Sequence, residues 1–360
     1  MAYNILVINP GATSTKIGWF EDETPVFTKN IMHSVEELDA LPTKLEKIQY
    51  RKKILMQVLK DEGFDVSKLD AIAARGGTIF NMQGGAYEVN DDLVEACLKP
   101  ENGHASNYAA VIGKEIADEL GIKAYIYDAV GTNETLPIAR MTGLKGIIRK
   151  NGTHALNTRA VAKKAAKSLG RKYADCCFVV VHMGGGVSIN IHKDGKIIDT
   201  ISTGEGPMST TRAGVLSTGE VLNMATSGNY TKQELREMFD SKGGLISLLG
   251  TNDLFEVEDR YKAGDPEAVR VLEFWAYQLG KYTALMASVG KGQIDQIILT
   301  GGPAYCKPLT DLIIDRVGWI APVNIIPGAL EMEALASGVL EVLHGEEVPK
   351  LFHIENYQSY

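Results

Sequence analysis

Two stretches of this sequence carry the same pattern: ILVINPGATSTKIGWF at residues 5–20 and FVVVHMGGGVSINIH at residues 178–192. Each stretch reads as an apolar strand, a turn rich in glycine or hydroxyl side chains and a second strand, and an acidic turn follows. Glycine has no Cβ, so backbone N–H groups in such a turn can approach phosphate oxygens closely. The repeat predicts a duplicated α/β domain with two facing half-sites for one phosphate-bearing ligand.

A third segment, residues 294–303, reads as a buried strand that ends in the glycine pair Gly301-Gly302. A nucleotide could lie against the bare backbone there. The three glycine segments together make phosphoryl transfer the leading hypothesis. The patterns GxxxxGK[ST], GxGxxG and HExxH do not occur in the sequence, so P-loop, Rossmann and zincin interpretations have no support.

The composition is that of a globular protein with more than one domain. The chain has 360 residues, of which 45% are hydrophobic and 23% charged, and this length exceeds what one hydrophobic core usually supports. The net charge is -8, and no block of Lys and Arg is interleaved with aromatic residues, so we expect neither nucleic acid nor an anionic membrane as a partner. No apolar run approaches a membrane span and no basic leader precedes Ile5, so we expect a cytoplasmic protein.

The four cysteines, Cys97, Cys176, Cys177 and Cys306, form no CxxC pair, and we expect them to be reduced core residues. Hydrophobic periodicity and capping signals predict the other elements. These are a helical segment from Val35 to Glu62 interrupted at Pro42, a strand at 69–74 that ends at Arg75, a helix at 106–120, a strand at 124–127 that ends at Asp128, a helix that starts near His154, a βαβ unit over 294–326 and a last helix at 331–343.

The motifs resemble those of the acetokinase family of acyl kinases, and most closely those of its butyrate and branched-chain carboxylate branch. The matches span nearly the whole chain: Asn9-Pro10-Gly11 with Ser14 and Lys16, Arg75-Gly76-Gly77, Tyr127-Asp128, His154-Ala155-Leu156-Asn157, the segment 182–188, the segment 204–209 with Arg212, Thr300-Gly301-Gly302, and Pro327 with the segment 331–336. One departure is Thr153, which stands where the family leads us to expect an aromatic residue.

The resemblance implies the actin-like ATPase fold, in which two ribonuclease H-like domains enclose a nucleotide cleft. We therefore predict an N-terminal lobe formed by residues 1–127 and 332–360 and a C-terminal lobe formed by residues 128–331. The family also implies a homodimer or a higher homo-oligomer, in which the C-terminal lobes pair.

The implied substrates are a short-chain carboxylate and ATP or ADP, with Mg²⁺ as cofactor. A carboxylate is already ionised at neutral pH, so its attack on the γ-phosphorus needs charge compensation more than a general base. Guanidinium groups suit this task, since they bind carboxylate or phosphoryl oxygens through two parallel hydrogen bonds.

The resemblance assigns a role to each candidate residue. Catalysis is assigned to Arg75, Asp128, His154, His182 and Arg212. Nucleotide binding is assigned to Asn9, Gly11, Ser14, Lys16, Gly184, Gly185, Gly186, Gly301 and Gly302. The metal is assigned to Glu331 and Asp128, with Glu333 as a competitor for the place of Glu331.

Each candidate also has an ordinary structural explanation: an ion pair for the arginines, packing for the histidines, a helix cap for Glu331 and a common turn residue for Asn9. The alternative activity of the same class is an acetate or propionate kinase. The alternative from another class is a non-catalytic, actin-like nucleotide switch, which the presence of Arg75, His154 and Arg212 disfavours.

Overall fold

The structure is a computed structural model that describes residues 2–80, 82–99, 103–150, 152–202 and 204–357. The chain divides into two compact units, Met1–Asn133 with Leu330–Tyr360, and Glu134–Ala329. Residues 128–133 and 330–331 thereby fall in the first unit, whereas the predicted boundaries put them in the second. None of the helices in the described ranges has the length and apolar character that a bilayer crossing requires.

The first unit is built on a six-stranded sheet. Its strands, in the spatial order β3-β2-β1-β4-β6-β5, are β1 (Asn4–Pro10), β2 (Ser14–Glu21), β3 (Thr24–Met32), β4 (Ala71–Arg75), β5 (Ala86–Glu88) and β6 (Lys123–Tyr127). The strands β1, β4 and β6 are parallel, and the other pairings are antiparallel. The helices of this unit are α1 (Val35–Asp39), α2 (Lys44–Asp61), α3 (Asp91–Leu98), α4 (Asn107–Leu120) and α12 (Glu331–Leu343).

Local sequence signals explain where these helices start and stop. Capping boxes at Ser34 and Thr43 begin α1 and α2, and the predicted interruption at Pro42 lies between the two helices. The helix α4 ends at Gly121, whose φ of 69° is accessible to glycine at little cost. The last helix has the predicted bounds, and it packs against β1, β4 and β6.

The second unit is built on a five-stranded sheet. Its strands, in the order β11-β10-β7-β8-β9, are β7 (Phe178–Met183), β8 (Val187–Lys193), β9 (Lys196–Ile201), β10 (Gln296–Gly301) and β11 (Val323–Pro327). Its helices are α5 (Ala155–Ser168), α6 (Thr218–Thr226), α7 (Lys232–Asp240), α8 (Gly244–Leu249), α9 (Leu254–Lys262), α10 (Pro266–Val289) and α11 (Lys307–Val317). The parallel strands β10 and β11 flank α11, as the predicted βαβ unit requires.

The two sheets repeat one topology. Apart from the edge strand β5, both place their strands in the order third, second, first, fourth, fifth. Both hairpins leave three residues between their strands, 11–13 in the first unit and 184–186 in the second. The acidic turns that follow also match, since Asp22 and Asp194 have φ values of 53° and 52°. The predicted duplication is confirmed.

Each sheet has its own hydrophobic core. In the first unit Ile8, Ile72 and Ile112 are fully buried in one cluster, and in the second Trp275 and Leu299 are fully buried in another. The four cysteines are buried and free of disulfides, as predicted. Each core holds its glycine hairpin on a rigid base.

Candidate active site

Three predicted site residues lie where parallel strands of the first sheet end. Asn9 is the penultimate residue of β1, Arg75 is the last residue of β4, and Asp128 directly follows β6. The carboxyl ends of parallel strands meet at one edge of a sheet, where α/β proteins usually bind their ligands. The sheet thus brings these three residues to one edge.

A helix from the far end of the chain adds a carboxylate to this edge. Asn9 donates a hydrogen bond from Nδ2 to Oε2 of Glu331 at 2.8 Å, and Nη2 of Arg75 lies 3.7 Å from Oε1. Glu331 is the first residue of α12, and the positive end of the helix dipole stabilises a carboxylate there. Glu333 is exposed on the same helix. Of the two competing glutamates, Glu331 is the one beside Asn9 and Arg75.

Arg75 is a buried cation with spare hydrogen-bonding capacity. Its residue exposure is 8%, and its Nη1 is buried without a hydrogen-bond partner in the described ranges of the chain. A buried donor without a partner is costly, so an anionic ligand that accepted this hydrogen bond would be favoured.

Asp128 is held by the neighbouring loop. Its backbone N–H donates to the carbonyl of Gly85 at 3.2 Å, and its Oδ1 accepts from the Gly85 N–H at 2.9 Å. Its φ of 40° lies in the left-handed region, which a non-glycine residue occupies at some cost in strain. Asp128 is only 1% exposed, and its catalytic and metal-binding roles stay predictions.

The first hairpin turn contains Gly11, and Ser14 follows as the first residue of β2. The Gly11 N–H donates to the Ser14 carbonyl at 2.8 Å, and Lys16 is exposed on the same strand. Arg51, which was not among the predicted site residues, is 2% exposed and donates hydrogen bonds to carbonyl groups at this turn. A signal was present, because Arg51 occupies the buried stripe of α2 with Ile48, Leu55 and Leu59.

In the second unit, the two candidate histidines are in contact. The rings of His154 and His182 are stacked, with centroids 3.9 Å apart and an interplanar angle of 16°. His154 is the residue before α5, and its Nδ1 is hydrogen-bonded to Oγ of Ser188 at 2.9 Å. His182 lies near the end of β7, two residues before the glycine turn.

Asn157 orients His182, and it was not assigned a role from the sequence. Its side-chain Nδ2 donates to Nδ1 of His182 at 2.9 Å and to Oγ1 of Thr300 at 3.2 Å. This hydrogen-bond network assigns the proton of the neutral His182 ring to Nε2. That nitrogen lies 3.6 Å from where a Cβ on Gly184 would be, so the Nε2 side of the ring faces the glycine turn.

The glycine turn is held by hydroxyl groups of a following loop. The Gly185 carbonyl accepts from Oγ of Ser209 and Oγ1 of Thr211, both at 2.8 Å. The Gly184 carbonyl accepts from Thr210, through Oγ1 at 3.2 Å and the backbone N–H at 3.4 Å. Gly186 completes the turn before β8.

Arg212 belongs to the same loop. Its backbone N–H donates to Oγ of Ser209 at 2.9 Å, and its Nε is buried with no hydrogen-bond acceptor among the residues that the structure describes. The predicted arginine therefore follows the segment that holds the glycine turn.

Gly301 has a structural reason to be glycine. Its φ is 91°, and a Cβ there would lie 1.8 Å from the carbonyl oxygen of Met183 at the end of β7. Gly302 faces open space. The nucleotide contact predicted for both residues stays a prediction.

The donor set fits a magnesium ion bound together with a nucleotide. Across the described ranges, no three His, Cys, Asp or Glu side chains are grouped so as to hold a metal. Magnesium in nucleotide enzymes usually takes one or two carboxylates, with waters and phosphates as the other ligands. The Glu331 carboxylate and the amide oxygen of Asn9 are suitable donors for such an ion.

Comparison with known proteins gives a family match in the middle of the chain. Residues 129–305 match the model of the acetokinase family. The match covers 177 of the 360 residues.

Solved structures resemble the whole chain. Acetate kinase from Porphyromonas gingivalis is 20% identical with a TM-score of 0.78, over 95% of this chain and 100% of that one. A propionate kinase from Francisella tularensis subsp. tularensis SCHU S4 is 18% identical with a TM-score of 0.75, over 93% and 98%. Acetate kinase from Entamoeba histolytica is 15% identical with a TM-score of 0.74, also over 93% and 98%. At these identities the likeness establishes the fold, and the predicted duplicated actin-like ATPase fold is confirmed.

Proposed function

We propose that this chain, whose residues 129–305 match the acetokinase family, is a carboxylate kinase that makes acyl phosphates from ATP and short-chain acids. The preferred substrate in the proposal is butyrate or a branched acid of similar size. The reaction is ATP + butyrate ⇌ ADP + butyryl phosphate, by direct in-line transfer. The γ-phosphorus to β,γ-bridging-oxygen bond breaks as a carboxylate oxygen bonds to phosphorus, so no proton is transferred.

The observation that carries the proposal is the state of Arg75. A guanidinium that is 8% exposed, with Nη1 lacking a partner in the described chain, supports a site for an anion. The neighbouring Glu331 lies 3.7 Å away and balances the charge without using Nη1. A carboxylate or a phosphoryl group accepts two parallel hydrogen bonds from such a cation, which lowers the repulsion between substrate and nucleotide.

The other residues have complementary roles in the proposal. Asn9 orients Glu331 and a phosphoryl oxygen, while His182 and His154 donate hydrogen bonds to the transferring group. The bond from Asn157 supports this role for His182, because it leaves the proton on Nε2. Arg212 offsets developing charge, and the glycines at 184–186 offer backbone N–H groups to phosphate oxygens.

Magnesium, bound through Glu331 and Asn9, would supply positive charge to the phosphate oxygens. Asp128 keeps its predicted part in the proposal, which is to hold metal and substrate in register, and its contact with Gly85 fixes the end of β6 beside Arg75. Lys16, exposed on β2, and Ser14 face the phosphates in the same scheme.

Butyrate is preferred to acetate or propionate on sequence grounds. The segment His154-Ala155-Leu156-Asn157 and the glycine triplet after His182 match the butyrate branch. Thr153 is smaller than an aromatic residue, and its Oγ1 donates to Oδ1 of the buried Asn190 at 2.7 Å. One methylene in an apolar pocket is worth about 1–3 kcal/mol, so we expect overlapping activity on neighbouring acids.

A series of acids tests the substrate. We expect kcat/KM, followed as acyl hydroxamate, to be highest for butyrate or isobutyrate and lower for acetate, propionate and valerate. A maximum at acetate or propionate would replace butyrate with the alternative of the same class. ATP-dependent filaments without any acyl phosphate would instead favour a non-catalytic nucleotide switch.

The proposal includes a homo-oligomer in the cytoplasm. Several large apolar side chains on the second unit support an interface, since an exposed apolar cluster usually marks a contact surface. They are Ile138, Met141, Leu144, Ile147 and Ile148, each more than half exposed. Light scattering on purified protein gives the molar mass, and the molar mass of a monomer would contradict the proposed homo-oligomer.

A further inference from the structure

We infer that Arg51 is a positioning residue that sets the orientation of the first glycine turn for binding nucleotide phosphates. The inference rests on the proposed function, which does not itself assign any role to Arg51. It deepens that function by explaining how a turn with a single glycine presents its backbone to an anion.

Arg51 reaches the turn from the buried side of α2. Its Nη2 donates to the Ala12 carbonyl at 2.6 Å, and its Nη1 donates to the Ser14 carbonyl at 2.7 Å and to Oγ1 of Thr15 at 2.9 Å. The backbone N–H of His33 donates to the carbonyl of Thr13, which lies between Ala12 and Ser14, at 2.9 Å. Three consecutive carbonyl groups of the turn are therefore held by donors.

Holding the carbonyl groups also fixes the direction of the N–H groups. A trans peptide unit is planar, and its N–H points opposite to its C=O. Because the Ala12 carbonyl points towards Arg51, the N–H of Thr13 points away from Arg51. The first turn can then offer an N–H to an anion although only Gly11 in it is a glycine.

The second hairpin uses the same arrangement with different side chains. Oγ of Ser209 and Oγ1 of Thr211 hold the Gly185 carbonyl, and Thr210 holds the Gly184 carbonyl. By the same planarity, the N–H groups of Gly185 and Gly186 point away from these hydroxyls. Two equivalent turns are held through their carbonyl groups by unrelated side chains, which argues that the orientation itself is required.

A purely structural residue at this place would not need to be arginine. Arg51 is 2% exposed on the apolar stripe of α2, and its hydrogen bonds to the turn go to carbonyl and hydroxyl oxygens, all of them neutral. Leucine would fill the volume at lower cost, because a buried cation that pairs with no carboxylate among the described residues loses solvation. Burial accordingly lowers the pKa of Arg51. A cation behind the turn attracts phosphate, and this attraction explains why a buried arginine is kept there in spite of its lost solvation.

The test compares Arg51→Lys with Lys52→Gln. Lysine keeps the charge but cannot donate to Ala12 and Ser14 in the same planar geometry. Lys52 is the next residue of α2 and pairs with Glu115 and Glu119, so the control weakens surface contacts of the same helix without touching the turn. Calorimetry measures the Kd of each protein for ADP with Mg²⁺, and thermal melting monitors folding.

We expect Arg51→Lys to raise the Kd for ADP and the KM for ATP about tenfold, which is the loss of about one hydrogen bond, with the KM for the acid unchanged. Lys52→Gln should leave all three values within about twofold. Should Arg51→Lys not fold, Thr15→Val removes one of the three acceptors and should weaken ADP binding by a smaller factor.

Unchanged ADP affinity in a folded Arg51→Lys variant would overturn the inference, as would equal losses of affinity for ADP and for the acid. The binding assay also separates the two claims. Wild-type protein that binds ADP but phosphorylates no acid contradicts the proposed function alone, and the effect of Arg51 on ADP binding still decides the inference. Wild-type protein that binds no nucleotide contradicts both.

Discussion

The imidazole rings of His154 and His182 stack at 3.9 Å between centroids, although 28 positions separate the two residues in the sequence. One ring comes from the residue before α5 and the other from the end of β7. Ser188 and Asn157 fix the two rings through one nitrogen each. The pair is therefore a fixed arrangement of two rings, which is what hydrogen-bond donation to a transferring phosphoryl group requires.

Replacing Asn157 by Asp tests whether the amide orients His182. The carboxylate is an acceptor and cannot donate to Nδ1, so it favours a proton on that nitrogen and disturbs the Nε2 tautomer. We expect kcat to fall at least about tenfold and its pH profile to shift, with the KM for ATP nearly unchanged. Asn324→Asp on β11 is the matched control and should keep the wild-type profile.

Arg75→Lys tests the anion site. Lysine keeps one charge but loses the planar pair of donors, so the transition state loses more stabilisation than the ground state. We expect kcat/KM for the acid to fall about 100-fold in steady-state assays, while thermal unfolding changes little. Activity close to that of the wild type would show that Arg75 is only a partner of Glu331.

The pair Glu331→Gln and Glu333→Gln distinguishes the two glutamates of α12. Gln at 331 can still accept from Asn9, but it removes the charge that faces Arg75 and that is proposed to bind the metal. We expect the Mg²⁺ concentration for half-maximal activity to rise about tenfold in Glu331→Gln and to stay unchanged in Glu333→Gln. The opposite result would assign the metal to Glu333.

Two substitutions of Asp128 distinguish its structural role, in the backbone conformation and the bond to Gly85, from a chemical role of its carboxylate charge. Asparagine tolerates the left-handed backbone and keeps an acceptor for the Gly85 N–H, whereas alanine loses both advantages. We expect Asp128→Ala to lower the free energy of unfolding by about 2 kcal/mol and Asp128→Asn to melt like the wild type. Full activity of Asp128→Asn would show that the carboxylate charge is not needed.

We expect the protein to lose stability in acid because of two buried histidines, His33 and His192. Burial, with a smaller effect of Arg51, lowers the pKa of His33 to about 4, and burial with Arg159 lowers that of His192 well below its usual value. Below about pH 6.5 the unfolded chain binds protons there that the folded chain does not, so the free energy of unfolding falls as the pH drops towards 4.

Urea titrations at about pH 7 and about pH 5 measure this acid effect. His33→Gln with His192→Asn removes both imidazoles and places an amide group near Thr15 and Tyr173, the hydroxyl partners of the two ring nitrogens. We expect this double variant to lose less stability between the two pH values than the wild type. The exposed His353→Gln should behave like the wild type, and an equal acid loss in all three proteins would refute the assignment.

The sequence was sufficient for the architecture. Strand periodicity, the glycine turns that follow β1 and β7, the interruption at Pro42 and the pattern of the last helix are local signals, and the elements they predict are present. The pattern also placed Arg75 and Asp128 at strand ends, because the ends of short buried strands are visible in a sequence.

The residues that hold the site were not predicted, because their contacts join distant positions. Arg51 binds Ala12 across 39 positions, and Asn157 bonds to Thr300 across 143. A charged residue in a helix, such as Arg51, is normally interpreted as exposed. The sequence near Asn157 also gives no sign that its side chain contacts His182 and Thr300. Which carboxylate of α12 lies beside Asn9 also depends on how the helix packs.

The most direct test of the central claim is the fate of the γ-phosphoryl group. Purified protein is incubated with γ-labelled ATP, Mg²⁺ and butyrate, and then with hydroxylamine. Before hydroxylamine is added, we expect label in an acyl phosphate whose formation depends on butyrate and is strongly reduced in Arg75→Lys. Hydroxylamine then converts this acyl phosphate to unlabelled butyryl hydroxamate and releases the label as inorganic phosphate. Label that stays in ATP, or that appears only as inorganic phosphate whether or not a two- to five-carbon acid is present, would contradict it.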